Sequence, residues 1–107
     1  MRLVLAGILC FVSVAPAAAQ DLKAKGEKLF VDQKCTLCHS IAGKGNTKGP
    51  LDGVGTKDSE ADLRAWITDS PGMTAKTNAT RKPAMKQFTL EKPDVDALVA
   101  YLASLKK

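Results

Sequence analysis

The sequence predicts an all-α domain in which three main helices and two long loops surround one large ligand. Three stretches carry apolar residues at helical spacing, and none shows the sustained alternation with β-branched residues that indicates a strand. The two connections between the helices are polar and about 20 residues long, which is unusual in a compact domain. Because the chain is short and has few aromatic residues, its core is marginal. We therefore expect a cofactor to fill the middle of the fold.

The first 19 residues have the pattern of a cleaved signal peptide. Arg2 precedes an apolar run from Leu3 to Val14, and the small residues at 17–19 form an end of the A-x-A type that signal peptidases accept. The apolar run is shorter than the roughly 20 residues that a bilayer-spanning helix needs. We expect residues 1–19 to be removed in the periplasm, and residues 20–107 to form one domain without stable membrane insertion.

The first two predicted helices lie in the first two thirds of the mature chain. The first covers residues 21–33, with an apolar face made of Leu22, Gly26, Leu29 and Phe30. The second begins at Ser59, which can cap a helix, with Asp62 three residues further on as in a capping box. Its buried stripe consists of Leu63, Trp66 and Ile67. Pro71 prevents its continuation, because proline lacks the backbone N–H.

The last predicted helix covers residues 91–105. Its apolar stripe consists of Val95, Leu98, Val99, Leu102 and Leu105, with Tyr101 beside it. Pro93 fits the first turn of a helix, and the lysines at 106 and 107 lie where positive charge suits the helix dipole. The connections "SIAGKGNTKGPLDGVGTKD" and "SPGMTAKTNATRKPAMKQFTL" are expected to be loops that wrap the ligand.

One short motif, "CTLCH", carries the chemistry. It contains Cys35, Cys38 and His39, the only histidine of the chain. A structural zinc ion takes four ligands, but the mature chain offers three, since Cys10 leaves with the signal peptide. A redox disulfide of the thioredoxin type belongs near a βαβ pattern, which is missing here. The third interpretation is covalent haem c, for which C-x-x-C-H is the attachment motif. Two thiols one turn apart can add to two vinyl groups, and the next residue offers its imidazole to the iron.

Over residues 26–105 the chain resembles class I cytochromes c, which are small monohaem electron carriers. "GEKLFVDQKCTLCHS" is similar to the family's first helix and haem motif, "KGPLDGVG" to the following segment, "LRAWITDSP" to a helix along the haem edge and "DVDALVAYLASL" to the last helix. The resemblance implies a cytochrome c fold with one haem c bound through Cys35 and Cys38. It also implies that the carbonyl of Pro50 accepts a hydrogen bond from His39, the proximal iron ligand.

A methionine is the expected sixth iron ligand, because His39 is the only histidine of the chain. Neither Met73 nor Met85 lies on an apolar helical stripe, so both are available. Met85 lies 16 residues before Tyr101, and the resemblance places the family's methionine ligand at about this distance from the last helix. Met73 follows the second helix closely, which disfavours it. The order "KPAM" departs from the common family order, in which the methionine precedes the proline. Met85 is the predicted ligand and Met73 the alternative.

The resemblance also implies how some side chains pack. Gly26 and Phe30 are expected to contact Tyr101 and Leu102 where the first and last helices cross, because glycine allows a close approach. From its place in the apolar stripe of the second helix, Trp66, the only tryptophan, is expected to pack in the core. A hydrogen bond from its indole N–H to a haem propionate is the alternative role, since a buried indole usually finds a partner.

The charge distribution is relevant to binding partners. The formal net charge is +5, and the basic residues of the two connections are Lys44, Lys48, Lys57, Lys76, Arg81, Lys82 and Lys86. A basic rim around the haem would steer redox partners with an acidic docking surface. The alternative is a lysine-rich surface that only keeps the protein soluble. Binding to nucleic acid is not expected, because no aromatic residues interleave with the basic ones.

These observations predict a periplasmic electron-transfer protein that is not itself an enzyme. It would carry single electrons between redox proteins through a haem iron with His39 and Met85 as axial ligands. One alternative is a haem subunit bound permanently to the catalytic subunit of a periplasmic dehydrogenase, such as one that oxidises sulfite. A second alternative is a peroxidase or gas sensor with an open sixth site.

Overall fold

The fold comes from a computed structural model, which describes Gly7 and residues 17–107 of the chain. Five α-helices are present among the described residues: α1 Ala17–Asp32, α2 Val54–Lys57, α3 Glu60–Thr68, α4 Ser70–Thr77 and α5 Lys92–Ala103. One 3₁₀ turn covers Cys35–Leu37, and two short strands are β1 Ser40–Ile41 and β2 Lys44–Gly45. The predicted all-α class is confirmed. Most of the predicted signal peptide lies outside the described residues, so its cleavage stays a prediction.

Helices α1 and α5 cross at a glycine. A Cβ atom added to Gly26 would collide with the backbone carbonyl of Ala97 and would lie 2.7 Å from Cβ of Tyr101. The rings of Phe30 and Tyr101 stack beside this point, with centroids 6.0 Å apart and 10° between their planes. The expected packing of these two helices is therefore confirmed, and Gly26 is required for the distance between them.

Helices α3 and α4 each begin at a side-chain cap. The hydroxyl of Ser59 accepts a hydrogen bond from the backbone N–H of Asp62 at 3.1 Å, as the capping pattern predicts. The chain bends at Asp69, whose carboxylate accepts a hydrogen bond from the N–H of Gly72 at 3.2 Å and so caps α4. Pro71 lies in the first turn of α4, where its missing N–H costs nothing. The prediction of a loop after Pro71 is wrong over residues 70–77, because proline stops α3 and also starts α4.

The core joins α1, α3 and α5. Its buried cluster consists of Phe30, Leu63, Ile67, Val95, Leu98, Val99 and Leu102, all of them from the stripes predicted by helical spacing. The other large side chains of those stripes are only half-buried: Leu22, Leu29, Trp66 and Leu105. At the edge of this core, Asp96 of α5 accepts hydrogen bonds from Arg64 of α3 at 2.6 Å and from Lys92 at 2.9 Å. These contacts fix α3 on α5 and leave one side of α3 facing the region between the two connections.

A small hairpin follows the "CTLCH" motif, where no strand was expected. β1 and β2 pair antiparallel through a turn in which Ala42 and Gly43 have φ values of 51° and 77°. Two residues with positive φ are typical of a type I′ hairpin turn. Ser40 also bridges Pro50 in parallel, and Leu51 donates its backbone N–H to the carbonyl of Ser40 at 2.8 Å. Strands of two residues are too short to give an alternating pattern, which explains the missed prediction.

Among residues 17–107, no helix combines the length and the apolar composition that a membrane crossing requires.

Candidate functional site

A cavity of about 510 Å³ lies between the helical core and the two long connections. Its volume falls in the range of roughly 300–1,000 Å³ that is usual for small-molecule and cofactor sites. All six site residues predicted from the sequence line it: Cys35, Cys38, His39, Pro50, Trp66 and Met85. The apolar part of the wall includes Phe30, Leu51, Leu63, Ile67, Leu98 and Leu102. The cavity therefore combines a hydrophobic wall with thiols, an imidazole and a thioether sulfur.

The 3₁₀ turn brings the two thiols and the imidazole to the same part of the cavity. The backbone N–H groups of Cys38 and His39 both donate to the carbonyl of Cys35, at 3.2 Å and 2.9 Å. Both cysteines are free thiols; Cys35 is half-buried and Cys38 is exposed. Burial raises the pKa of the Cys35 thiol above its ordinary value, against a smaller lowering by a backbone hydrogen bond at Cys35 and by the charge of Lys86. A thiol in this position stays protonated at neutral pH.

The ring of His39 is held by the carbonyl of Gly49. Nδ1 of His39 lies 3.0 Å from that oxygen and donates to it, because a carbonyl can only accept. The resemblance implied Pro50 as the acceptor, and this implication is wrong. The parallel bridge between Ser40 and Pro50 turns the preceding carbonyl, that of Gly49, toward the ring, and Ser40 donates its N–H to the same oxygen at 3.1 Å. Pro50 itself lies in the cavity wall.

Three influences act on the protonation of His39. Burial lowers the pKa of the imidazole, the hydrogen bond to Gly49 raises it, and the positive charge of Arg81 lowers it, with a net shift below the ordinary value. The ring is therefore neutral at pH 7. Since Nδ1 carries the hydrogen, the lone pair of Nε2 is free for a metal, which is the form in which histidine binds iron.

Two residues that sequence reasoning did not assign to the site hold the carbonyls of the "CTLCH" motif. The side chain of Asn46 donates to the carbonyl of Leu37 at 3.1 Å, and its backbone N–H donates to that of His39 at 3.1 Å. Nη1 of Arg81 donates to the carbonyl of Cys38 at 2.7 Å. No local pattern in the sequence indicates either contact; Arg81 was noted only as one of seven basic residues.

The structure separates the two methionines. Met85 is half-buried and lines the cavity together with Cys35, Cys38 and His39. Met73 lies in α4, is 6% exposed and does not contribute to the cavity wall. Met73 is therefore a core residue. The assignment of Met85 as an iron ligand stays a prediction, and this arrangement favours it over Met73.

Trp66 also faces the cavity, from the side of α3 that the core leaves free. Its side chain is half-buried, and its indole N–H has no hydrogen-bond partner within residues 17–107. The indole is thus available to a polar group of a bound cofactor, while its ring forms part of the hydrophobic wall.

The seven basic residues of the two connections are all exposed. Two of them, Lys57 and Arg81, also line the cavity. Nζ of Lys86 lies 4.9 Å from the centroid of the Phe88 ring, a cavity residue. Leu37, next to Cys38, is an exposed apolar side chain at 69%. The cavity wall thus contains three basic residues, Lys57, Arg81 and Lys107, and two acidic ones, Asp52 and Asp58. The basic rim that would attract acidic partners stays a prediction.

The donor set fits a covalently bound haem better than a structural metal ion. Two thiols, a neutral imidazole and a thioether lie in an apolar cavity of cofactor size, and these groups match the attachment and ligation chemistry of haem c. Among the described residues, no group of three or more His, Cys, Asp or Glu side chains could hold a metal ion.

Comparisons with known proteins agree with the geometry. A protein-family model described as "Cytochrome c" matches residues 23–106. The protein "Cytochrome c oxidase subunit 2" of Alkalihalophilus pseudofirmus is 29% identical over 96 residues, which cover 81% of this chain and 27% of that protein. The chain thus spans about a quarter of the length of this relative. No solved structure gives a significant match.

Proposed function

The chain belongs to the cytochrome c family, and from this premise we propose that it is a periplasmic monohaem carrier of single electrons. Proteins of this family hold haem c covalently and transfer electrons through its iron. The observation that carries the proposal is the convergence of Cys35, Cys38, His39 and Met85 on one apolar cavity.

Cys35 and Cys38 are the proposed attachment points. Each thiol would hold the haem through one thioether bond to a former vinyl group, an addition in which the S–H hydrogen is kept and no oxidant is required. Both cysteines line the cavity; Cys35 is half-buried and Cys38 is exposed. Two covalent links keep the cofactor in place when the protein leaves a partner.

His39 and Met85 are the side chains that would hold the haem iron. When bound, the haem iron supplies a one-electron Fe(II)/Fe(III) couple. His39 is oriented for this role by the carbonyl of Gly49, and Met85 lies in the wall of the same cavity. A methionine ligand raises the reduction potential relative to a second histidine, and the apolar wall limits access of water to the charged iron.

The exposed basic residues support a choice of partners. Lysines and an arginine around the cavity mouth favour redox proteins with an acidic docking surface, and such contacts are small and depend on ionic strength. The A-x-A pattern before residue 20 supports the periplasm as the location.

A second candidate function is that of a haem subunit bound to an oxidoreductase complex. The match to part of an oxidase subunit favours it, since a domain of this kind also occurs within a larger electron-transfer protein. Gel filtration of the native protein from its own cells separates the two functions. A free carrier elutes at the size of the single chain, and a bound subunit elutes with its catalytic partner.

The pyridine haemochrome spectrum of the purified holoprotein tests the central proposal. Two thioether links give the spectrum of a haem c without free vinyl groups, and the colour stays with the protein after acid–acetone extraction. The double variant Cys35→Ser, Cys38→Ser is the control and should lose its colour on extraction. A colourless wild-type protein would contradict the proposed function as an electron carrier. Rapid CO binding by the ferrous protein without denaturant would contradict it too.

A further inference from the structure

We propose that Arg81 is a positioning residue that holds the methionine-bearing loop closed over the haem cavity by binding the carbonyl of Cys38. The loop consists of residues 78–91, between α4 and α5, and is called the Met85 loop below. This inference rests on the proposed function, since Met85 must be the iron ligand for its loop to be positioned for that purpose.

The contact joins two parts of the chain that are 43 positions apart. Nη1 of Arg81 lies 2.7 Å from the carbonyl oxygen of Cys38. The guanidinium also rests against Gly49: a Cβ atom added to that glycine would collide with Nη1 of Arg81 and with the carbonyl of Cys38. Arg81 therefore occupies a space that exists only because residue 49 has no side chain. The same glycine supplies the carbonyl that orients His39.

Few other hydrogen bonds hold the Met85 loop in place. Near its start, the N–H of Ala79 donates to the carbonyl of Thr74, and further along that of Phe88 donates to the carbonyl of Ile67 at 3.1 Å. Within the part of the chain that the structure describes, the bond from Arg81 is the only one that residues 80–87 make to the rest of the protein. Met85 lies in this stretch, so the position of its sulfur depends on Arg81 more than on any other polar contact.

The energetic consequence concerns the open form of the loop. An external ligand that replaces Met85 on the iron must move the loop away, and the contact between Arg81 and Cys38 is lost when residues 80–87 move. Because the contact exists only in the closed form, its net free energy shifts the equilibrium between the open and closed loop toward the closed form. For a charge-assisted hydrogen bond at the surface, this corresponds to roughly three- to tenfold in affinity for the competing ligand.

Imidazole binding to the ferric holoprotein tests the proposal. Imidazole is titrated into the wild type, Arg81→Gln, Arg81→Lys and Lys82→Gln, and the weak red band of methionine ligation is followed. Arg81→Gln is expected to bind imidazole roughly three- to tenfold more tightly than the wild type. Arg81→Lys keeps the positive charge but lacks the planar guanidinium with its several donors. Its imidazole affinity should lie between those of the wild type and Arg81→Gln. Lys82→Gln removes the same charge from the next residue and should keep the wild-type affinity.

Several results would overturn the proposal. If Arg81→Gln and Lys82→Gln change the affinity by the same factor, or neither changes it, Arg81 does not position the loop. Far-UV circular dichroism in denaturant measures the free energy of global unfolding of each variant. If Arg81→Gln changed the free energies of unfolding and of imidazole binding by the same amount, Arg81 would be a general stabilising residue. A wild-type ferric protein that lacks the red band would overturn both His39–Met85 ligation and this proposal, whereas a normal band without an Arg81 effect overturns this proposal alone.

Discussion

The imidazole Nδ1 of His39 lies 3.0 Å from the carbonyl oxygen of Gly49, and this bond links the "CTLCH" motif to the glycine–proline segment at residues 49–50. The backbone N–H of Ser40 binds the same oxygen at 3.1 Å, so the acceptor is held in place by the chain itself. A histidine that donates from one ring nitrogen is a more basic ligand through the other. The bond is therefore expected to favour Fe(III) and to lower the reduction potential.

Substitution of Gly49 tests this relationship. In Gly49→Ala, the new Cβ would collide with the carbonyl of Cys38 and the guanidinium of Arg81, so the backbone must shift and the bond to His39 must weaken. We expect the potential to rise by about 20–40 mV, which is the one-electron equivalent of part of a hydrogen bond. Spectroelectrochemical titration measures it, in protein that retains the red band of methionine ligation.

A matched glycine serves as the control for this experiment. A Cβ atom at Gly43 would meet nothing within 4 Å, although its φ of +77° makes alanine strained there. Gly43→Ala should lower stability without moving the potential. An unchanged or lower potential in Gly49→Ala would show that this hydrogen bond does not tune the iron.

The crossing of α1 and α5 predicts the sign of a helix substitution. Helix propensity alone would make Gly26→Ala stabilising by about 1 kcal/mol. Because the added Cβ collides with the carbonyl of Ala97, we instead expect a loss of about 1–3 kcal/mol in the free energy of unfolding. Urea denaturation measures it, with the exposed α1 position Lys28→Ala as a control that should change by less than about 0.5 kcal/mol. A more stable Gly26→Ala protein would mean that the helices are further apart than described.

Asp96 predicts a pH dependence of stability. Hydrogen bonds from Lys92 and Arg64 hold the pKa of this carboxyl below its ordinary range. The ionised form thus favours the folded state above the ordinary aspartate pKa of about 3.9, and this contribution disappears as the pH falls through the lower folded-state pKa. Asp96→Asn should lower stability at about pH 7 and reduce the loss of stability on going to about pH 3.

Urea unfolding midpoints at both pH values measure the effect of Asp96. Asp21→Asn is the control, because this exposed carboxylate of α1 takes part in none of the three ion pairs of the described residues. If the wild type and Asp96→Asn lost stability in parallel with acid, the contacts with Lys92 and Arg64 would carry no net free energy.

Helical spacing was sufficient to predict the three main helices and their buried faces. The cap at Ser59 was predicted too, because capping requires only a local side-chain oxygen. Helix α4 was missed because Pro71 was interpreted only as the end of a helix; a proline can stop one helix and occupy the first turn of the next. The aspartate before it, Asp69, is the residue that indicates such a restart.

The site shows a different limit of sequence reasoning. Residue types and spacing were sufficient to bring the "CTLCH" motif and Met85 to one site, and both line the same cavity; their roles toward a haem stay predictions. Gly49 and Arg81 could not be located in this way, because their roles depend on contacts between residues far apart in the chain. The resemblance implied the carbonyl of Pro50 as the acceptor for His39, whereas the acceptor is the carbonyl of Gly49, one residue earlier. The direction of this carbonyl is determined by the parallel bridge between Ser40 and Pro50.

The central claim is that His39 and Met85 are the two side chains that would hold the iron of a bound haem. The most direct measurement is the weak red absorption band of the ferric protein in Met85→Ala and in Met73→Ala. Met73 is buried in α4 outside the cavity, so Met73→Ala controls for the loss of a methionine side chain. The band should vanish in Met85→Ala and persist in Met73→Ala. A band that persists without Met85, or that vanishes without Met73, would contradict the account.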